Sequence, residues 1–153
     1  MSLFLHVLQP TEIDEILAFE SRKMAEKVTD EMERQIQSWN ARWRKESLQH
    51  YVPLGWSFCA RESSSPESPL VGYFIAQALL FLDGQTQTLW VEHLQFSSLQ
   101  IRDALVELAV KLGREKHLQK IYFPNEPTIA NALQPYKSEP WSASVLQVRT
   151  TKT

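Results

Sequence analysis

Apolar positions along this chain recur at two periods, and the switches between them lay out a mixed fold. Phe4 to Gln9 reads as a strand. After it, Ile13, Ile16, Leu17 and Met24 share one helical face, with Glu12, Glu15, Arg22 and Lys23 on the other. Thr11 and Asp14, at T-x-x-D spacing, make a variant capping box, in which a side chain at each end satisfies an orphan amide. From Thr29 to His50, the residues Met32, Ile36, Trp39 and Trp43 recur at steps of four, three and four. That predicts a second helix with both tryptophans on its buried face. Pro53 and Gly55 end it.

Period two then takes over. Gly55 to Glu62 sets Trp56, Phe58 and Ala60 against Ser57, Cys59 and Arg61, which predicts a strand. Residues 63–69, rich in serine and proline, form an exposed loop. LVGYFIAQALLFL is the next strand, and the Asp-Gly turn of DGQT leads from it into a strand from Thr88 to Gln95. Helical spacing returns from Ser98 to His117. There Ile101, Leu105, Leu108 and Leu112 form the core stripe, and Ser97 with Gln100 forms an S-x-x-Q capping box. Lys120 to Pro124 is a fifth strand, NEPTIANAL a short helix with Pro127 near its first turn, and the region from Ser142 to Thr150 holds a last strand. This order predicts one α+β domain over residues 1–153. Its mixed, mostly antiparallel sheet has about six or seven strands, with about four helices on its two faces.

Composition narrows the function rather than the fold. The 153 residues suit one domain that buries a core without a disulfide or a metal. Sixteen basic and 18 acidic residues give a formal net charge of −2, without the clustered basic excess of a nucleic-acid surface. The longest apolar run falls short of the about 20 residues a membrane helix needs, and MSLFLHVLQP lacks the basic start and apolar core of a signal peptide. Neither nucleic acid nor membrane is an expected partner. Cys59 is the only cysteine, so an internal disulfide and a cysteine-based zinc site are not expected, and the expected setting is the cytoplasm. A lone strand cysteine reads as a small buried hydrophobe. His6, His50, His93 and His117 show no ligand spacing, and no metal site is expected. The oligomeric state, a homodimer included, is left open.

Three segments carry a family resemblance. GWSFCARE…PLVGYFIAQA, LWVEHLQF and ALVELAVKLGREKHLQKIYFPN together resemble the second to fifth strands and the intervening helix of the GNAT acetyltransferases. The resemblance covers almost the whole chain. It implies a fourth and a fifth strand that splay apart, with the pantetheine arm of acetyl-CoA lying along Leu94, Gln95 and Phe96. It also implies that the pyrophosphate meets free amides at the start of the following helix, where N–H groups and the helix dipole favour an anion. The family loop there is Q/R-x-x-G-x-G/A, whereas this chain has Ser97-Ser98-Leu99-Gln100-Ile101-Arg102, with no glycine. Either the phosphates bind differently, to Ser97, Ser98 and the Arg102 side chain, or they do not bind. Asn125 stands where the family often has an asparagine after its fifth strand. Tyr136 stands near the tyrosine that reprotonates the departing thiolate, although LysSerGluProTrp replaces the usual Gly-Phe after it.

Acetylating an amine needs a base, because an ammonium cannot attack a thioester. Glu92 is the candidate, on a strand where several family members place one. His93 is expected on the opposite face, since strand residues alternate. The basic cluster Arg42, Arg44 and Lys45 reads as a solvated helix face, or else as a substrate or cofactor-phosphate contact. Two functions are expected from different classes. One is an acetyl-CoA-dependent transferase acting on a small-molecule or peptide amine. The other is a module that keeps the fold but has lost the cofactor.

Overall fold

A computed structural model of the chain describes residues 3–151. One sheet of seven strands runs through it in the order β1 (Phe4–Val7), β2 (Phe58–Arg61), β3 (Leu70–Leu80), β4 (Gln87–Phe96), β5 (Lys120–Pro124), β7 (Val145–Arg149), β6 (Glu139–Ser142). Every neighbouring pair is antiparallel except β4 and β5. That parallel pair needs a long crossover, which helix α4 (Leu99–Glu115) supplies.

Strand alternation divides the core in two. Phe74 and Ala76 of β3 face α4, whose Ile101, Leu105, Val106, Ala109 and Val110 are all buried against the sheet. Helix α5 (Pro127–Ala132) adds Ile129 and Ala132 to this layer. Tyr73 and Ile75, the alternate residues, face α1 (Ile13–Lys27) and α3 (Lys45–Tyr51). Gly72 lets α4 approach closely: a Cβ there would stand 2.7 Å from Ile101 Cγ2 and 3.1 Å from the Gln95 carbonyl.

The long second helix is two helices. α2 (Glu31–Trp39) stops at Asn40, and α3 starts after Arg44, which is extended. The break lets α3 turn inward and bury Leu48 and Tyr51. The apolar stripe of α2 does not reach the core: Met32 is 70% exposed, Ile36 48% and Trp39 64%. Only Trp43, in the connecting turn, packs against the α1–α3 layer.

Two expected caps differ, and α2 has one beyond those expected. Ahead of α1, the Glu12 carboxylate accepts the Gln9 amide at 2.9 Å, in place of a Thr11–Asp14 box. Asp30 caps α2 by accepting from the Met32 amide. At α4 the cap is Ser98, one residue beyond the expected Ser97, because the Ser97 amide is bonded to the Val71 carbonyl across the strands. The expected last strand forms a hairpin, β6 and β7. Among the described residues no helix is long and apolar enough to cross a membrane.

Candidate active site

The site is built around one irregular step in β4. Ile75 pairs with His93 and Ala76 with Val91, so Glu92 is an extra residue with no partner on β3. Such a β-bulge breaks the strict alternation of faces. Val91 and Leu94 lie in the α4-side core, while Glu92 and His93 both turn to the α1–α3 side. The expectation that His93 opposes Glu92 is therefore corrected, and the extra residue is the reason.

Glu92 sits at the wall of a cleft of about 320 Å³ lined by Arg42, Arg44, Glu46, Ser47, His50 and Tyr51. Its Oε2 accepts the Tyr51 hydroxyl at 2.8 Å and the Trp90 indole N–H at 2.9 Å. Oε1 has no protein partner among the described residues. The Arg42 guanidinium donates to the Glu92 carbonyl at 3.3 Å, which brings the basic cluster of the α2–α3 turn to the site. Burial first, and then the hydrogen bond to the Glu92 carboxylate, push the Tyr51 phenol far above its ordinary value, so it stays protonated as a donor.

Behind this cleft lies a second carboxylate. Glu20 is 2% exposed and accepts the Tyr73 hydroxyl at 2.6 Å, His93 Nε2 at 2.8 Å and Gln95 Nε2 at 3.3 Å. A buried carboxylate is tolerated only when paired and hydrogen-bonded in this way. Neither Glu20 nor Tyr51 was among the expected site residues. The signal was present for both: Glu20 continues the Ile13, Ile16 stripe at a step of four, and Tyr51 lies three after buried Leu48.

β4 and β5 part company at this point. Their ladder joins Thr88 to Lys120, Leu89 to Ile121 and Trp90 to Tyr122, and then stops. From Val91 to Phe96, β3 is the only strand neighbour of β4 among the described residues, and β5 continues to Pro124 against β7. Leu94 is buried and paired with Phe74, the Gln95 side chain is committed to Glu20, and Phe96 packs against the α4-side core. Trp141 of β6 closes over the lower end of the gap, its ring centroid 5.2 Å from Tyr122 and 6.0 Å from Trp90.

At the start of α4 the Ser98 hydroxyl accepts the Ile101 amide at 3.3 Å. The amides of Leu99 and Gln100 have no acceptor among the described residues, and Ser97 and Ser98 are exposed beside them. Arg102 is committed elsewhere: Nε and Nη2 reach Asp103, and Nη1 reaches the Thr128 carbonyl at 3.0 Å, tying α4 to α5. Asn125 is likewise engaged, donating from Nδ2 to the Ala143 carbonyl and from its amide to the Ser144 carbonyl, which holds the β6–β7 turn. Tyr136 packs on the α4 side, near Glu107 and Arg114, and the fold does not bring it to Glu92. Its phenol is pushed up, chiefly by burial.

No family model matches this sequence, and no curated protein matches it. Solved structures do. The PaiA N-acetyltransferase of Thermoplasma acidophilum, in complex with coenzyme A, is 14% identical and superposes over 97% of this chain and 99% of its own, with a TM-score of 0.65. The polyamine N-acetyltransferase of Drosophila melanogaster is 11% identical over 96% and 98%, with a TM-score of 0.64. A GNAT-family acetyltransferase of Listeria monocytogenes is 12% identical over 96% and 94%, also at 0.64. Identity this low bears on architecture alone, and at that level the seven-stranded mixed sheet with its parting β4 and β5 is the fold of the GNAT acetyltransferases.

Proposed function

We propose that the chain transfers an acetyl group from acetyl-CoA to an amine, with Glu92 as the base. The observation that carries this reading is the end of the β4–β5 ladder at Trp90–Tyr122, two residues before Glu92, which the bulge presents to an open cleft. The thioester supplies the acyl group when acetyl-CoA is bound. Its pantetheine arm would lie along the β4 backbone at Leu94, Gln95 and Phe96, and its diphosphate at the Leu99 and Gln100 amides with the Ser97 and Ser98 hydroxyls beside them. Those amides and hydroxyls carry the diphosphate in this reading, because Arg102 and Asn125 donate to the Thr128 and Ala143 carbonyls inside the fold.

Glu92 takes the ammonium proton through Oε1, directly or through water, while Tyr51 and Trp90 hold Oε2 and fix the carboxylate plane. Tyr136, the acid that the resemblance implies, packs near Glu107 and Arg114 on the other side of the sheet, so the departing thiolate takes its proton from solvent in this reading. The acceptor is a small molecule or a peptide, and the expected setting is cytoplasmic. A second reading, a binding module without catalysis, is favoured by the Ser98 cap that already occupies the Ile101 amide.

Calorimetric titration of the chain with acetyl-CoA separates the two. Binding in the micromolar to sub-millimolar range is expected, and none up to several millimolar leaves only the module. Glu92→Gln keeps an acceptor for Tyr51 and Trp90 but loses the base. It should lower turnover about 10²–10⁴-fold with little change in acetyl-CoA affinity. Unchanged turnover removes Glu92 from the mechanism.

A further inference from the structure

At the β1 edge of the sheet, three elements bring together side chains that the proposed reaction does not use. β1 contributes His6, the turn before α1 contributes Glu12, and β2 contributes Cys59. His6 Nε2 lies 2.9 Å from Cys59 Sγ and 3.6 Å from Glu12 Oε2, and Sγ lies 3.7 Å from the same carboxylate oxygen. Cys59 is fully buried, and His6 and Glu12 keep 26% and 13% of their side chains exposed, so solvent reaches the cluster from one side.

The tautomer of His6 decides what this arrangement is. Nδ1 faces the Val7 carbonyl at 3.1 Å, and a carbonyl only accepts, so Nδ1 carries the proton and Nε2 presents a lone pair. A nucleophilic triad would place the carboxylate on Nδ1 and the thiol on Nε2. Here both converge on Nε2. Three atoms with lone pairs therefore lie within 3.7 Å of one another, and the imidazole is oriented by a backbone carbonyl on its other nitrogen, as metal-binding imidazoles are. Bonds of about 2.0–2.3 Å at the tetrahedral angle put ligand atoms about 3.3–3.8 Å apart. The two separations to Glu12 already fall in that range. The nitrogen–sulfur separation is shorter because a thiol proton bridges it, and it has to open by about 0.6 Å to reach that geometry.

Charge agrees. Arg61 donates to Glu12 Oε2 at 2.7 Å, but the same guanidinium is held by both oxygens of Glu15, at 2.9 and 2.6 Å, and by the Ser68 carbonyl. With a neutral thiol, the group of Glu12, Glu15 and Arg61 carries one net negative charge. A divalent ion on a Cys59 thiolate makes the set neutral.

We propose that His6, Glu12 and Cys59 bind one divalent transition-metal ion of the zinc type, through one imidazole, one carboxylate and one thiolate, with a fourth position open to water. A thiolate with an imidazole selects such ions over magnesium or calcium. On binding, the thiol proton passes to solvent and the sulfur takes its place on the metal. The ion cross-links β1 and the turn before α1 to β2. These residues lie 6, 12 and 59 along the chain, so no local spacing announces the site.

The test uses Co²⁺ as the probe and the unmodified chain. Because Cys59 is the only cysteine, a near-ultraviolet sulfur-to-cobalt charge-transfer band reports this site alone. The expected result is a band that saturates at one equivalent and is bleached by Zn²⁺, together with a rise in melting temperature on adding Zn²⁺. His6→Gln and Glu12→Gln should each weaken Co²⁺ binding by more than the about 10–100-fold that loss of an outer-shell partner costs. His117→Gln, remote from the cluster, should leave it unchanged. No charge-transfer band with excess Co²⁺ overturns the proposal whether or not the variants fold, and so does a band whose affinity survives His6→Gln.

Discussion

Glu20 offers the sharpest test of how the α1–α3 side of the sheet is held. Replacing it by alanine removes one acceptor from three donors at once: the Tyr73 hydroxyl, His93 and Gln95. Tyr73 is fully buried and its hydroxyl has no other partner among the described residues, so Glu20→Ala strands a donor away from water. Removing one member of a buried, charged, hydrogen-bonded group costs about 3–5 kcal/mol. At about 2–4 °C per kcal/mol for a chain of this size, the melting temperature should fall by roughly 6–20 °C. Tyr73→Phe deletes a single bond to a charged group and should cost about 1.5–3 kcal/mol.

The double variant discriminates. Once the carboxylate is gone, removing the stranded hydroxyl relieves its burial cost of about 1–3 kcal/mol, so the double variant should be more stable than Glu20→Ala alone by about that amount, and should fall short of the two single costs added together by that relief plus the whole Tyr73→Phe cost. Urea unfolding followed by tryptophan fluorescence gives all three values. Costs that add to within about 0.5 kcal/mol, or a Glu20→Ala cost below about 1 kcal/mol, would refute the network.

Other expectations follow from single contacts. Gly72→Ala forces a Cβ against Ile101 and the fixed Gln95 carbonyl, and overpacking of this kind costs about 1–3 kcal/mol; the urea midpoint should fall accordingly. Gly113→Ala has side-chain rather than backbone atoms as its nearest contacts, from Ile121 and Thr150, and it gains about 1 kcal/mol of helix propensity, so the same measurement should show a smaller loss. Glu15 ionises below its ordinary 4.5, first because the Arg61 side chain donates to it. The unfolded chain thus takes up that proton first as the pH falls. Stability present above pH 4.5 is lost as the pH drops through the folded value, and Glu15→Gln should flatten that acid limb in pH-dependent melting.

Much of the architecture is legible along the chain because the burial is one-sided and regular. α4 keeps Ile101 and Leu105 on the sheet as its spacing predicts, and β3 alternates as a strand covered on both faces should. The failures have separate causes. The spacing of Met32, Ile36 and Trp39 correctly marks one helical face, but periodicity does not say what covers a face, and here nothing among the described residues does. The bulge at Glu92 carries no glycine or other local marker, so strict alternation assigned His93 to the wrong side. Glu20 was readable in principle, as an acid falling on an apolar stripe. The His6–Glu12–Cys59 cluster was not, because only the pairing of β1 with β2 brings His6 opposite Cys59.

The bulge also explains how Glu92 and His93 both come to the side of the sheet where α1 buries Glu20. An unbulged β4 would send either Glu92 or His93 into the α4-side core, among Val91, Leu94 and Leu105, where neither finds a partner. With the extra residue, both turn the same way and their roles separate. Glu20 is sealed from solvent and fixes His93 and Gln95, the segment of β4 that follows the bulge. Glu92 lies at an open cleft, with one oxygen held by Tyr51 and Trp90 and the other free. In the proposed reaction Glu92 exchanges a proton with the acceptor, which needs that freedom, and its strand needs the rigidity that the buried carboxylate provides. Tyr73→Phe, which leaves Glu92 and all its partners in place, should therefore loosen the proposed reaction through β4 alone.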